Sequence, residues 1–194
     1  MRSAGDTPEK ILDVAQLLVQ TQGFNGFSYA DIAFKLEIRN AAVHYHFPAK
    51  ADLGQALALR YRKSFSQALL SIDARVPDVS RASKKLELYA GLFQAALEDG
   101  LRMCLCGMLA SELTTLPEVV QSEVRAFFAE QQAWLAKVLD EGRKADVLRF
   151  TGRPTAKAEE VLASLEGAML LARTAGSVAS FRSLAKGFLS ALEV

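Results

Sequence analysis

The chain has little of what most active-site chemistry requires. Its 194 residues include two histidines, two cysteines and one tryptophan. It contains no helical HExxH, no GxSxG, no P-loop and no dinucleotide fingerprint. An enzyme is therefore not expected, and no catalytic residue, metal or cofactor is assigned. Cys104 and Cys106 are too few for a disulfide scaffold and too close to close a useful loop, which fits a reducing compartment. The N-terminal stretch MRSAGDTPEKI has no apolar h-region, and no apolar run reaches the roughly 18 residues of a membrane span. A cytoplasmic protein without a membrane partner is the expectation. The formal charge of +1 excludes a global basic field, so any contact with nucleic acid has to come from a local surface.

Convincing β-alternation is also missing, and the five prolines fall at the edges of periodic segments. What is present is helical periodicity throughout, which predicts an all-α fold. Pro8 follows the cap Thr7, and Ile11, Leu12, Ala15, Leu18 and Val19 form a stripe that stops at Gly23. Ser28, with Asp31 three residues on, opens a second short helix carrying Tyr29, Ile32, Ala33 and Leu36. A third short helix runs to Phe47, where Pro48 ends it. A long helix is predicted from Lys50 to Arg75, followed by helices at 81–98, 102–114, 117–144, 155–176 and 178–192. The composition shifts near residue 50, giving a three-helix domain over 1–50 and a large helical body over 51–194.

Both histidines lie in NAAVHYHFPAK, residues 40–50. On a helix, positions i and i+2 point about 200° apart, so His44 and His46 cannot share a metal; zinc on a helix wants i and i+4. With Val43 facing inward, Phe47 falls beside it and His46 on the flank. Ala41, His44 and Tyr45 then face outward. Two alanines near the helix start let the backbone approach a groove, and the two planar polar side chains can bond phosphates or base edges. Two helices of about eight residues joined at Glu37, Ile38 and Arg39 have helix-turn-helix proportions. Arg39 and Asn40, at the start of the third helix, are candidates for base or phosphate contacts.

From about Thr7 to Leu53 the sequence resembles the DNA-binding domain of the TetR family of transcriptional regulators. The resemblance rests on Gly23-Phe24, on Ser28-Tyr29-x-Asp31-Ile32-Ala33, and on AVHYHFPAKADL at 42–53. It implies DNA contacts by His44 and Tyr45, and phosphate binding by Lys50 with the amides of the fourth helix. Two positions depart from the family. Glu37 stands where Gly is common, and Arg39 where a Ser or Thr cap is common; Asn40 is the alternative cap.

The same resemblance implies a ligand-binding and dimerising body, with the last two helices forming a four-helix bundle with those of a second copy. Leu162, Ala163, Gly167, Leu170, Phe181, Leu184 and Phe188 are the residues assigned to that interface. Candidates for an effector pocket are Tyr61, Phe65, Leu86, Tyr89, Phe93, Met103, Cys104, Met108, Phe127 and Trp134. Taken singly each is also an ordinary core residue, and their number points to an apolar effector. Cys104 lies in RMCLCGMLASE, read as helical. The region weakly resembles the branch of the family that responds to electrophiles, so Cys104 is either core packing or a reactive thiol that Arg102 favours.

The function expected from these residues is a ligand-responsive DNA-binding repressor. It would act as a homodimer on a palindromic duplex operator and be released by a small apolar or electrophilic effector. The alternative is a helical interaction module that no longer binds an operator.

Overall fold

A computed structural model describes residues 7–194. Among the described residues there are nine α-helices: α1 (Thr7–Gln22), α2 (Tyr29–Leu36), α3 (Asn40–His46), α4 (Lys50–Arg75), α5 (Ala82–Glu98), α6 (Leu105–Ser111), α7 (Glu118–Lys144), α8 (Pro154–Thr174) and α9 (Val178–Ser190). No named strand occurs among them; the one isolated β-bridge pairs Leu148 with Glu193. The fold is all-α with the helix-turn-helix at its N-terminal end. Contacts divide the chain into two units, one of residues up to Lys63 with Leu105–Ala126, the other of Ser64–Cys104 with Phe127–Val194. Helices α4 and α7 contribute residues to both.

The first unit is built on the α1 stripe. Ile11, Ala15 and Val19 are fully buried there, as are Ile32 of α2, Val43 of α3, and Leu53 and Leu57 of α4. Each such branched side chain stabilises the fold by about 1.5–3 kcal/mol relative to exposure. At the start of α2 the Asp31 carboxylate accepts hydrogen bonds from the Ser28 amide (2.7 Å) and hydroxyl (2.8 Å). That closes the predicted cap and holds the Asp31 carboxyl below its usual pKa. Glu37, after α2, has φ 55°, the left-handed conformation that favours glycine, at a cost of roughly 1 kcal/mol for a side-chain-bearing residue. α3 starts at Asn40, with Arg39 at the cap position and no side-chain cap bond, so Asn40 does not cap the helix. The Tyr29 hydroxyl donates to the Phe47 carbonyl (2.9 Å), tying the end of α3 to α2.

Lys50 corrects one expectation. Its ammonium donates to the Phe24 carbonyl (2.6 Å) and to the Phe27 carbonyl, and sits over both phenyl rings at 4.8 and 4.3 Å from their centroids. It is turned into the α1–α2 turn instead of being held out for a phosphate. Burial pushes its pKa down, opposed by the charges of Glu112 and Asp31. From the C-terminal side of α6, Glu112 accepts from the Phe24 amide (2.6 Å). A Cβ at Gly23 would lie 2.6 Å from the Glu112 carboxylate, so only glycine, itself at φ 85°, fits there.

In the second unit α5, α8 and α9 pack together. Phe65 lies edge-on to Tyr89, Phe93 and Phe127 at 6.2, 5.8 and 5.2 Å, and Tyr89 stacks on Trp134 at 5.4 Å. Asp73 accepts from Lys85 (2.6 Å) and from the Trp134 indole (3.0 Å), which fixes the tryptophan ring. The predicted 102–114 helix is shorter: Gly100 and Leu101 both have positive φ, and α6 begins at Leu105. Cys104 therefore precedes the helix instead of lying on it, and both cysteines are buried.

Because the Lys50 ammonium closes two carbonyls of the turn that carries α2, Lys50→Ala should destabilise the protein. The expected loss is about 1.5–3 kcal/mol, the range for hydrogen bonds to a charged group. Urea unfolding that gives the variant the parent's midpoint and slope would show that the ammonium contributes nothing to the fold.

Candidate functional site

The outward side of α3 is the first candidate. Arg39, Asn40, Ala41, His44 and Tyr45 are all exposed, Tyr45 to 81%, while Val43 on the opposite side is fully buried. The sequence-predicted contact residues at α3 thus share one face, while Lys50, which opens α4, is bound to the α1–α2 turn. The His44 ring meets Tyr29 edge-on at 4.6 Å, and half-buried His46 lies 5.1 Å from the Tyr45 ring. Phe34 is an exposed aromatic that sequence reasoning passed over; it stands on α2, 85% exposed. Its signal was its position off the Tyr29, Ile32, Ala33 and Leu36 stripe.

The second candidate lies inside the other unit. Phe65, Leu86, Tyr89, Phe93, Met103, Cys104 and Phe127 are buried there and Trp134 is half-buried. Tyr61 and Met108, also expected around a pocket, are half-buried members of the first unit. Among the buried aromatics are polar atoms with no hydrogen-bond partner: the Tyr89 hydroxyl, both amide atoms of Gln131, and one carboxyl oxygen of Glu166. Glu166 as a residue is half-buried, but that oxygen is closed off from solvent. Burial raises the Glu166 pKa from its usual range to about 7, against a hydrogen bond with the Cys104 thiol. Tyr89 is raised well above 10 by burial, with smaller contributions from Cys104 and Glu166.

Gln131 and Glu166 were not singled out from sequence. Gln131 had a readable signal, since it falls on the inward side of α7 between Phe127 and Leu135, where a polar residue is out of pattern. Glu166 sits in a mixed helix of small and apolar residues, and its neighbours in space come from distant segments.

The third candidate is the outer face of α8 and α9. Ala163, Leu170 and Leu184 are exposed and Gly167 and Phe188 half-exposed, but Leu162 and Phe181 point into the unit's own core. Those two cannot offer surface to another copy. Leu171, 60% exposed, was missed and lies beside Leu170. A Cβ at Gly167 would meet nothing within 4 Å. Among the described residues no helix is long and apolar enough to cross a membrane.

Comparison with known proteins agrees with this geometry. Residues 11–57 match the family model "Bacterial regulatory proteins, tetR family", and residues 86–187 match "Transcriptional regulator LmrA/YxaF-like, C-terminal domain". The HTH-type transcriptional repressor DhaR of Mycobacterium sp. (strain GP1) is 29% identical over 153 residues, 77% of this chain and 73% of that protein. The HTH-type transcriptional repressor NemR of Escherichia coli K12 is 24% identical over 173 residues, 89% of this chain and 86% of that protein. A crystal structure of a TetR-family transcriptional regulator from Agrobacterium tumefaciens superposes with a TM-score of 0.93 at 35% identity, covering 99% of this chain and 100% of that one. These relatives are transcriptional regulators rather than enzymes. With a family model spanning most of the helical body, a second on the helix-turn-helix, and a like structure along nearly its whole length, the chain belongs to the TetR family of transcriptional regulators.

Proposed function

We propose that this protein is a homodimeric repressor that holds a palindromic duplex operator through α3 and leaves it when a small, largely apolar effector enters the helical body. Residues up to about 50 would read the DNA, and the remainder would bind the effector and dimerise. The carrying observation is the face of α3, where five residues able to meet phosphates or bases are exposed together over a fully buried anchor, Val43. The names of DhaR and NemR as repressors support the sign of regulation.

A helix entering the major groove does so with its N-terminal residues, and one such helix reads one half-site, so two copies on a two-fold axis are needed. The exposed Leu170, Leu171 and Leu184 are suited to that pairing, and the open space at Gly167 lets a second helix approach closely. Effector entry then shifts the population towards a dimer whose two α3 helices no longer fit successive grooves.

A noncovalent apolar effector is favoured over an electrophile by the surroundings of Cys104. Reactive thiols occupy electropositive, partly exposed places. Cys104 is 1% exposed and hydrogen-bonded to Glu166, and the nearby Arg102 is paired with Asp99 at 2.7 Å.

Three measurements test this reading. Arg39 makes no side-chain cap bond, so Arg39→Ala should fold normally, bind operator less tightly, and reduce the slope of log affinity against log salt by about 1. Tyr45→Ala, removing a neutral group, should weaken binding with the slope unchanged. Parent-like operator affinity for both variants would remove α3 from the interface.

For assembly, Gly167→Glu puts a carboxylate where the monomer leaves room, so it should spare the fold but split the dimer, since burying an unpaired charge costs several kcal/mol. Sedimentation showing the parent to be a monomer at micromolar concentration would refute the dimer.

For the thiol, parent and Cys104→Ser protein should respond alike to N-ethylmaleimide in an operator-release assay. Release of the parent and of Cys106→Ser, but not of Cys104→Ser, would establish the electrophilic trigger instead.

A further inference from the structure

We propose that the second unit contains a buried recognition site for a small organic cation, a protonated amine on an apolar body, with the Glu166 carboxylate as its counter-ion and the Tyr89 ring and hydroxyl and the Gln131 amide as its other contacts. This rests on the reading of the chain as an effector-responsive regulator and names the effector's chemistry.

Four polar atoms on three helices of this unit lack protein partners: the Tyr89 hydroxyl on α5, both ends of the Gln131 amide on α7, and a Glu166 carboxyl oxygen on α8. Tyr89 is their hub. It stacks on Trp134, one helical turn beyond Gln131, and it interacts electrostatically with Glu166 and Cys104. Buried polar groups in native proteins are almost always bonded, so such a set within one unit is accounted for by a ligand that completes it.

The charge of that ligand follows from what the set holds. The groups acting on Glu166 are burial and the Cys104 thiol, a weak donor, with no cation among them. The buried ammonium of the same unit, on Lys85, is already bound to Asp73 at 2.6 Å. An anionic ligand would meet a carboxyl group in surroundings rich in aromatic rings, whereas a cation is attracted by both. Both ends of the Gln131 amide are open, so the ligand's body should also carry one group that donates and accepts a hydrogen bond. The titratable groups that interact with Glu166 are Tyr89 from α5 and Cys104 from the segment before α6.

Trp134 is the chain's one tryptophan and stacks on Tyr89, so its fluorescence reports occupancy without DNA. Full-length protein is titrated with 2-phenylethylammonium and hexylammonium, with the matched neutral alcohols 2-phenylethanol and hexanol, and with 3-phenylpropanoate and hexanoate. At pH 8 the ammonium compounds should bind at least about tenfold more tightly than their alcohols, a difference that one charge contact supplies. The carboxylates should bind more weakly than either. Glu166→Gln should bring the amines to the level of the alcohols and leave the alcohols unchanged.

Since a bound cation requires ionised Glu166, amine affinity should fall towards tenfold per pH unit below about 7 while alcohol affinity stays flat. That arm decides the matter if Glu166→Gln does not fold. Equal or weaker binding of the amines relative to the alcohols, no saturable signal from any probe, or an amine affinity indifferent to both pH and Glu166→Gln would overturn the proposal. Operator binding measured on the same preparation separates the two failures: intact operator binding without amine binding refutes this site alone, and absent operator binding refutes the repressor reading.

Discussion

A seven-residue helix has no stability of its own in water, because nucleation is not repaid over so few hydrogen bonds. α3, the helix the proposed function depends on, therefore exists only as long as its surroundings hold it. Three attachments do so. Val43 is buried to completion, Tyr29 bonds the carbonyl of Phe47 at its end, and the Lys50 ammonium closes the α1–α2 turn from which α2 departs. Glu112 adds a fourth from the far end of α6, accepting from the amide of Phe24 while Lys50 takes the carbonyl of that residue. One residue of the turn is thus held at both its peptide groups by side chains 26 and 88 positions away.

That separation explains what sequence could and could not disclose. Helix existence was legible throughout because the signals are local: the stripe from Ile11 to Val19, the Ser28 and Asp31 pair, the proline after Phe47. The inward turn of Lys50 was not, because a lysine opening a helix reads as a free cation until its partners in the α1–α2 turn are known. The same limit applied at Cys104. Helical periodicity carries through 102–114, but consecutive positive φ values at Gly100 and Leu101 delay α6 to Leu105, and leucine gives no warning of a left-handed residue. On α8 and α9 the sequence offered Leu162, Ala163, Gly167, Leu170, Phe181, Leu184 and Phe188 as one interface. It did not say which of them face the core, and Leu162 and Phe181 turned out to be used within the chain while Leu171 is left outside.

The outward face of α3 was more legible than the pocket, and for a physical reason. A short helix with one large buried aliphatic has a defined wheel, so the exposed positions follow once Val43 is placed. The ligand site proposed for the second unit has no such internal reference. Its aromatic members are indistinguishable by pattern from core, and its polar members, Gln131 and Glu166, gain meaning only from the absence of partners, a property of the assembled unit.

Two carboxylates of the second unit make that point in opposite directions. Burial acts to raise the pKa of both. At Asp73 that effect is outweighed by hydrogen bonds from Lys85 and Trp134 and by the charge of Lys85, and the pKa falls below its usual value. At Glu166 only the Cys104 thiol answers, and the pKa rises to about 7. By linkage, Asp73 contributes stability that is present above the ordinary carboxylate pKa and lost as pH falls through its lowered one. Glu166 does the reverse, and stability declines as pH rises from its ordinary value towards about 7. A fold that supplies a lysine and an indole to one half-buried acid has the means to neutralise another. Leaving Glu166 with a weak thiol donor and no cation, at a cost in stability, is the kind of departure expected where a residue is kept for binding.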